Sequence, residues 1–426
     1  MDRVLRAPHV LPFLSGRVAS VFGRQVFAVA VGWDVYERTG SVFALGLVGL
    51  VQVLPVVVLA IFSGHVVDRL GGPRVAVASQ VTMLAAACGL AAVATGAFSA
   101  PLVYGLLALH ATAVSFNSPA VASMLPRLVP PEDRPRLNTY SSSGFEAASI
   151  AGPAVAGLLL ATGTARFAYV LHAACAASFA LVLVGLARKG VGEALERAAK
   201  VKSAADLLVG VRFIFGSRLL LPALSLDLFA VLLGGVTALL PVFAKEVLHV
   251  GPTGLGLLRA APAAGALVTA MVLTRLAPWK RPGVVLLTAV AVFGVVTIGF
   301  GLSTNPWLSG AFLAVAGAAD MVSVVIRMTL EQQLVPDALR GRVSAIHYVF
   351  IGLSNELGEF ESGMTAALLG PVGSVLLGGV GTLVVVAVIC GVSPAMRRLG
   401  PLADILPETG PDSANGGARG PVGSPP

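Results

Sequence analysis

Glu356 and Glu359 stand three residues apart inside the run Ser354-Asn355-Glu356-Leu357-Gly358-Glu359-Phe360-Glu361. On a helix that spacing puts both carboxylates on one face, and two acids so close in a low-dielectric setting cannot readily both be ionised. The pair is suited to carrying a proton; its alternative role is hydrogen-bonding glue between helices. Glu361 is expected nearer the outer end of the same run. Arg24, Glu146 and Asp227 also interrupt apolar runs, where an ionisable residue costs several kcal/mol unless it is paired or watered. Each is a candidate for proton coupling or for lining a cavity, and Arg24 could instead form a structural ion pair with Glu356 or Glu146.

Other polar residues in apolar surroundings have simpler readings. Asp34 falls near the end of its run beside Glu37 and Arg38 and is expected to be solvated. Asp320 and Arg327 lie seven apart on one helical face, and Arg327 with Glu331 reads as an i,i+4 surface pair. His110 and His347 titrate near neutrality when unperturbed and could relay protons or serve as hydrogen-bonded packing. Trp33, Trp279 and Trp307 fall where an aromatic belt would sit. The chain holds no His/Cys/Asp cluster, no Gly-x-Ser-x-Gly turn and no Gly-Lys-[Ser/Thr] phosphate cradle. An enzyme, an ATP-driven pump, a metal site and a bound cofactor are therefore not expected. Cys88, Cys175 and Cys390 occur singly in apolar runs and read as packing residues.

The elements that must position these groups are membrane helices. Hydrophobic residues make up 56% of the 426 and charged residues only 12%, against about 25% charged in soluble globular chains. Apolar runs long enough to cross roughly 30 Å of hydrocarbon fall near 12–36, 42–63, 75–97, 101–124, 138–162, 166–187, 219–243, 254–276, 283–302, 306–330, 343–369 and 372–393. The first is the most diluted, by Arg17, Arg24, Gln25 and Asp34, and no cleavable leader is expected before it. With both termini cytoplasmic, 22 of the 29 bases fall in cytoplasmic segments, leaving Arg38, Arg166 and Lys245 outside and Arg17, Arg24, Arg259 and Arg327 within spans. That distribution obeys the positive-inside rule. The basic charge is spread over short loops without interleaved aromatics, which excludes a nucleic-acid partner.

Residues 1–187 and 219–399 form two six-helix halves. The segment 188–218 between them carries seven bases and includes Ala194 to Phe215, a candidate amphipathic helix on the inner membrane surface. Residues 400–426, rich in Pro, Gly and Ser, read as a disordered cytoplasmic tail. The halves repeat one another: Leu128-Val129-Pro130 and Arg134-x-Arg136 match Leu334-Val335-Pro336 and Arg340-x-Arg342 at an offset of 206. Gly152 and Gly157 fall on Gly358 and Gly363 at that same offset. Such duplication is expected of a carrier built around a central cavity.

Between the second and third runs lies a charged turn, Gly64-His65-Val66-Val67-Asp68-Arg69-Leu70-Gly71-Gly72-Pro73-Arg74, placed at the membrane surface. Its pattern Gly-x-x-x-Asp-Arg-x-Gly resembles the loop between helices 2 and 3 of the major facilitator superfamily. The resemblance implies a conformational latch formed by Gly64, Asp68, Arg69, Gly71 and Arg74, with Gly72-Pro73 departing from the basic residues usual there. In the fifth run, Ala148 to Gly157 resembles the helix 5 signature of that family's exporters through Gly152, Pro153 and Gly157, with Ala148 and Ala156 in place of two glycines. Read without the resemblance, the same run is small-residue helix packing with a proline kink.

Further stretches are similar to the enterobactin-exporter branch of that superfamily, which includes proton-driven drug exporters. They include Ser118-Pro119-Ala120, Leu226-Asp227-Leu228-Phe229-Ala230, Arg340-Gly341-Arg342-Val343-Ser344 and the acidic run 354–363. The resemblance implies an all-α integral membrane protein of twelve transmembrane helices in two pseudo-symmetric halves. It implies a monomeric, proton-coupled exporter of an amphipathic organic molecule, siderophore or drug-like, in a bacterial inner membrane. Its partners would be a small-molecule substrate, protons and the lipid bilayer. A transporter-shaped substrate sensor and an importer of the same fold remain the alternatives.

Overall fold

A computed structural model describes residues 3–7, 9–188, 204–277 and 279–402, and every regular element among them is helical. The first six long helices are α1 (Val10–Thr39), α2 (Val42–Leu70), α3 (Gly72–Val93), α4 (Ala100–Met124), α5 (Arg134–Leu160) and α6 (Arg166–Arg188). After a helix at Ala204–Gly216 come α7 (Leu220–Val247), α8 (Gly251–Leu273), α9 (Pro282–Leu302) and α10 (Pro306–Leu334). A last helical stretch, Asp337–Val392, is broken at Gly370, where φ is 77°. Only glycine takes that conformation freely, and Pro371 then starts a new helix without a lost hydrogen bond. The break divides the stretch into α11 (337–369) and α12 (371–392). Eleven described helices are long and apolar enough to cross a membrane, and this break makes twelve crossings.

Helix α7 is interrupted at Gly234-Gly235 and ends in a π turn over Phe243–Val247, which follows Pro241. A proline in that position gives no backbone N–H to the preceding turn. The charged turn expected at 64–74 is much shorter than the sequence suggests. Helix α2 runs on through Leu70, and only Gly71, with φ 86°, separates it from α3. Pro73 occupies the first turn of α3, where its missing amide costs nothing. Of the amphipathic helix expected over Ala194 to Phe215, the part from Ala204 onward is helical. Residues 189–203, and residues 403–426 of the expected tail, lie outside the described residues.

The turns after residues 70 and 334 and the end of α6 at Arg188 share one end of the bundle with Ala204–Gly216, here called the linker end. The turns at Gly40, Gly163, His249 and Gly370 lie at the opposite, far end. At the linker end each group of six helices has its own core. One is built on Val10, Phe13, Val75, Met124, Leu137 and Phe179, the other on Phe213, Leu226, Leu286, Ile326, Val343 and Met396. At the far end a single core joins both groups, with Tyr36, Leu45, Leu160 and Tyr169 packed together with Leu240, Phe243, Leu255, Phe300 and Ala366.

Glycine makes this far-end closure possible. A Cβ on Gly157 of α5 would lie 2.7 Å from the Pro252 carbonyl oxygen and 3.0 Å from the Gly256 Cα of α8. A Cβ on Gly46 of α2 would lie 3.1 Å from the Gly363 Cα of α11. Polar contacts reinforce the same seam: Lys245 Nζ meets Glu37 Oε2 at 2.8 Å, and the Tyr36 hydroxyl donates to Glu246.

Candidate functional site

Between the two groups of helices lies a cavity of about 560 Å³, within the range of drug-sized ligand pockets. Apolar walls come from Val21, Phe27, Val48, Phe145 and Leu255, and polar groups from Arg24, Gln25, Gln52, Arg259, Asn355, Glu356 and Glu359. Helix α11 presents Glu356 and Glu359 together because they are three residues apart, and α2 comes close enough to support them. A Cβ on Gly49 would lie 2.9 Å from both the Glu356 carbonyl oxygen and the Glu359 Cβ. Opposite, α8 supplies Arg259, whose Nη2 stands 3.9 Å from Glu359 Oε1 and whose Nη1 donates to the Thr237 carbonyl at 3.0 Å. The Thr237 carbonyl is within reach because α7 has just restarted after its Gly234-Gly235 break. Glu356 keeps a buried Oε2 without a hydrogen-bond partner.

Three of the five residues singled out from the sequence as coupling or cavity candidates therefore meet in this cavity: Arg24, Glu356 and Glu359. Glu146 and Asp227 do not line it. Glu146 is half-buried on α5. Asp227 is ion-paired with the buried Arg327, whose Nη2 also lies 3.8 Å from Asp320, so α7 and α10 are joined by one guanidinium between two acids. Arg24 pairs with neither Glu356 nor Glu146; its Nε is buried without a partner.

Two further expectations are corrected. Arg327 and Glu331 are not a surface pair: both are buried, and they turn to different neighbours. Glu331 takes a hydrogen bond from Ser344 and meets His347 Nδ1 at 2.7 Å, tying α10 to α11. Asp34 is not solvated, because Tyr169 of α6 covers it and donates to its Oδ2 at 3.1 Å, while Arg38 lies 3.5 Å away.

Sequence reasoning missed Arg259 as a site residue, although a base in the ninth position of an apolar helix was the available signal. It also missed His172, which meets His110 Nε2 to Nε2 at 3.0 Å behind Phe27. One imidazole must donate and the other accept across that contact.

At the linker end, Gly64 faces open space and Asp68, Arg69 and Arg74 are exposed. The Asp68 carboxyl is held above its ordinary range by desolvation, against the attraction of His65 and Arg127. Gly72 brings α3 against α4, where an added Cβ would lie 3.1 Å from the Ala120 carbonyl oxygen. Gly152 packs α5 on α1, 3.2 Å from the Phe22 carbonyl oxygen by the same measure, and Pro153 offers its carbonyl close to Gly256 of α8. No group of three or more metal-ligating side chains occurs among the described residues.

The family model described as Major Facilitator Superfamily matches residues 13–358. The enterobactin exporter EntS of Citrobacter koseri is 26% identical over 384 residues, covering 87% of this chain and 88% of its own. Macrolide efflux protein A of Streptococcus pyogenes is 23% identical over 395 residues, covering 90% and 96%. Among solved structures, a peptide transporter POT in complex with sulfate superposes with a TM-score of 0.72 at 15% identity, over 92% of this chain and 95% of that one. The nucleoside transporter NupG does so at 0.69 and 15%, over 92% and 100%. At such identities the solved structures speak for the fold alone.

Proposed function

Since the chain belongs to the Major Facilitator Superfamily and is a multi-pass membrane transporter rather than an enzyme, we propose that it exports an amphipathic organic molecule in exchange for protons. The observation that carries this reading is the acidic pair Glu356 and Glu359, set beside Arg259 in a cavity between the two groups of helices. A carboxylate that can gain and lose a proton there changes the charge seen by both the cavity and the substrate. This is the minimum needed to couple two fluxes. The outward direction is supported by the enterobactin and macrolide exporters among the relatives and by the Gly152-Pro153-Gly157 run of α5.

In this reading residues 1–187 and 219–399 are the two rocking halves, and the chain lies in a bacterial inner membrane with both termini cytoplasmic. The shared core at the far end and the separate cores at the linker end then correspond to a carrier open to the cytoplasm. The substrate enters between the linker ends, the halves rock, and a proton returns on the acidic pair. Asp68, Arg69 and Arg74, with Gly64 and Gly71 around them, would latch the linker ends together once the halves close there.

Inverted membrane vesicles supplied from outside with a panel of catecholate siderophores and macrolides test the reading. Accumulation driven by an inside-acid pH gradient and abolished by a protonophore is expected for at least one compound. Accumulation that ignores the gradient, or none above vesicles lacking the protein, would refute it.

A further inference from the structure

The cavity is electrically lopsided. On its α8 and α11 side the Arg259 guanidinium already faces Glu359, with Glu356 one helical turn below. On its α1 side stands Arg24, which forms no salt bridge among the described residues and whose Nε is buried without a hydrogen-bond partner. The charge acting on Arg24 is a second guanidinium, Arg17, seven residues earlier on the same face, and Arg17 Nη1 is likewise buried and unpartnered. The other ionisable groups near Arg24, His110 and His172, are bonded to each other and supply no negative charge. A buried cation without a counter-charge is expensive. A membrane helix keeps such a group facing a partner or a cavity, and Arg24 faces the cavity, where an anionic group on the cargo would supply the missing counter-charge.

We propose that Arg24 is the anchor of an anion-binding site in this cavity, and that the transported molecule carries a carboxylate or other oxyanion on an apolar, aromatic body. The guanidinium offers parallel donors that fit an oxyanion two at a time. Phe27, one turn on, and Phe145 of α5 line the adjoining apolar wall, where an aromatic body would lie. The inference deepens the export reading and rests on the cavity being the transport path. It makes an organic acid the substrate and sets Arg24 against purely cationic drugs.

Matched probes test it: naphthoate, its neutral amide and naphthylmethylammonium, titrated calorimetrically into the purified full chain in nanodiscs without any gradient. Naphthoate should bind about tenfold or more tightly than the amide. Arg24→Gln should lose that preference while its affinity for the amide is unchanged, and Arg24→Lys should retain part of it. Because Arg24→Gln also removes an unpaired buried charge, its thermal midpoint without ligand should rise by several degrees. Equal naphthoate affinity in wild type and Arg24→Gln, no naphthoate binding to wild type, or tighter binding of the ammonium probe would overturn the proposal. The titration has no direction and no gradient, so a failure of export in vesicles leaves it standing. Undiminished export of an organic acid by Arg24→Gln would sink the anchor and leave export intact.

Discussion

At the scale of single residues, the acidic pair is not symmetric. Glu359 has Arg259 at 3.9 Å, whereas one oxygen of Glu356 is buried with no partner. Glu356 is therefore the acid of the pair without a direct ion-pair contact among the described residues, the one that can take up a proton without breaking one. Glu356→Gln should keep substrate binding but reduce gradient-driven accumulation in inverted vesicles about tenfold or more, whereas Glu359→Gln should impair both, since it strips Arg259 of its carboxylate. If both variants accumulate substrate with the wild-type dependence on the gradient, the pair serves only to hold helices together. Asp34→Asn makes a contrasting case. Its partners are Tyr169 and Arg38, so the change should cost about 1–3 kcal/mol of stability in a thermal or denaturant titration while leaving proton coupling intact. The difference between these two sites explains what the sequence could reveal. Glu356 and Glu359 are neighbours in the chain, so helical periodicity exposes their shared face. Tyr169 lies 135 residues from Asp34, and no local pattern marks a lid supplied from so far away.

At the scale of helices, hydropathy and charge placement make all twelve spans legible, because lipid demands long apolar runs with internally bonded backbone. What they leave out are the helix ends. Past residue 63 the chain turns polar, yet the backbone stays helical to Leu70, since Asp68 and Arg69 can be solvated on a helix as well as in a loop. The hinge is consequently one residue, Gly71, and Asp68 rides on a rigid helix end rather than on a flexible turn. Asp68→Asn should then lower the transport rate severalfold with normal membrane insertion, and an unchanged rate would reduce the segment to a simple connection. The α5 glycines make a sharper case. Around Gly157 the neighbours are backbone atoms of α8, which cannot move aside as a side chain can. Gly157→Val should wedge α5 from α8 and open the far end. A cysteine replacing cavity-lining Gly32, in a chain freed of its three native cysteines, would report this through about tenfold faster labelling by an impermeant maleimide added at the far end.

At the scale of the whole molecule, the internal repeat gives the two groups of helices similar cores at the linker end. Only at the far end does one core, distinct from these two, join both groups. A carrier resting in this state has to break that shared core to expose its cavity on the other side. The polar contacts Glu37 to Lys245 and Tyr36 to Glu246 must part in the same movement, because each joins α1 to α7 across the seam. An exposed ion pair contributes little, about 0–1 kcal/mol, so Lys245→Ala by itself should scarcely change transport. Fixing the distance is another matter. With Glu37 and Lys245 both replaced by cysteine and bridged by a short bismaleimide, the far ends cannot separate, and transport should stop although the cavity remains intact and still binds ligand. Either single-cysteine variant treated with the same reagent should continue to transport. If the bridged protein transports at the rate of the unbridged one, the seam between α1 and α7 is not a moving part, and the substrate must leave by a route that keeps the far end closed.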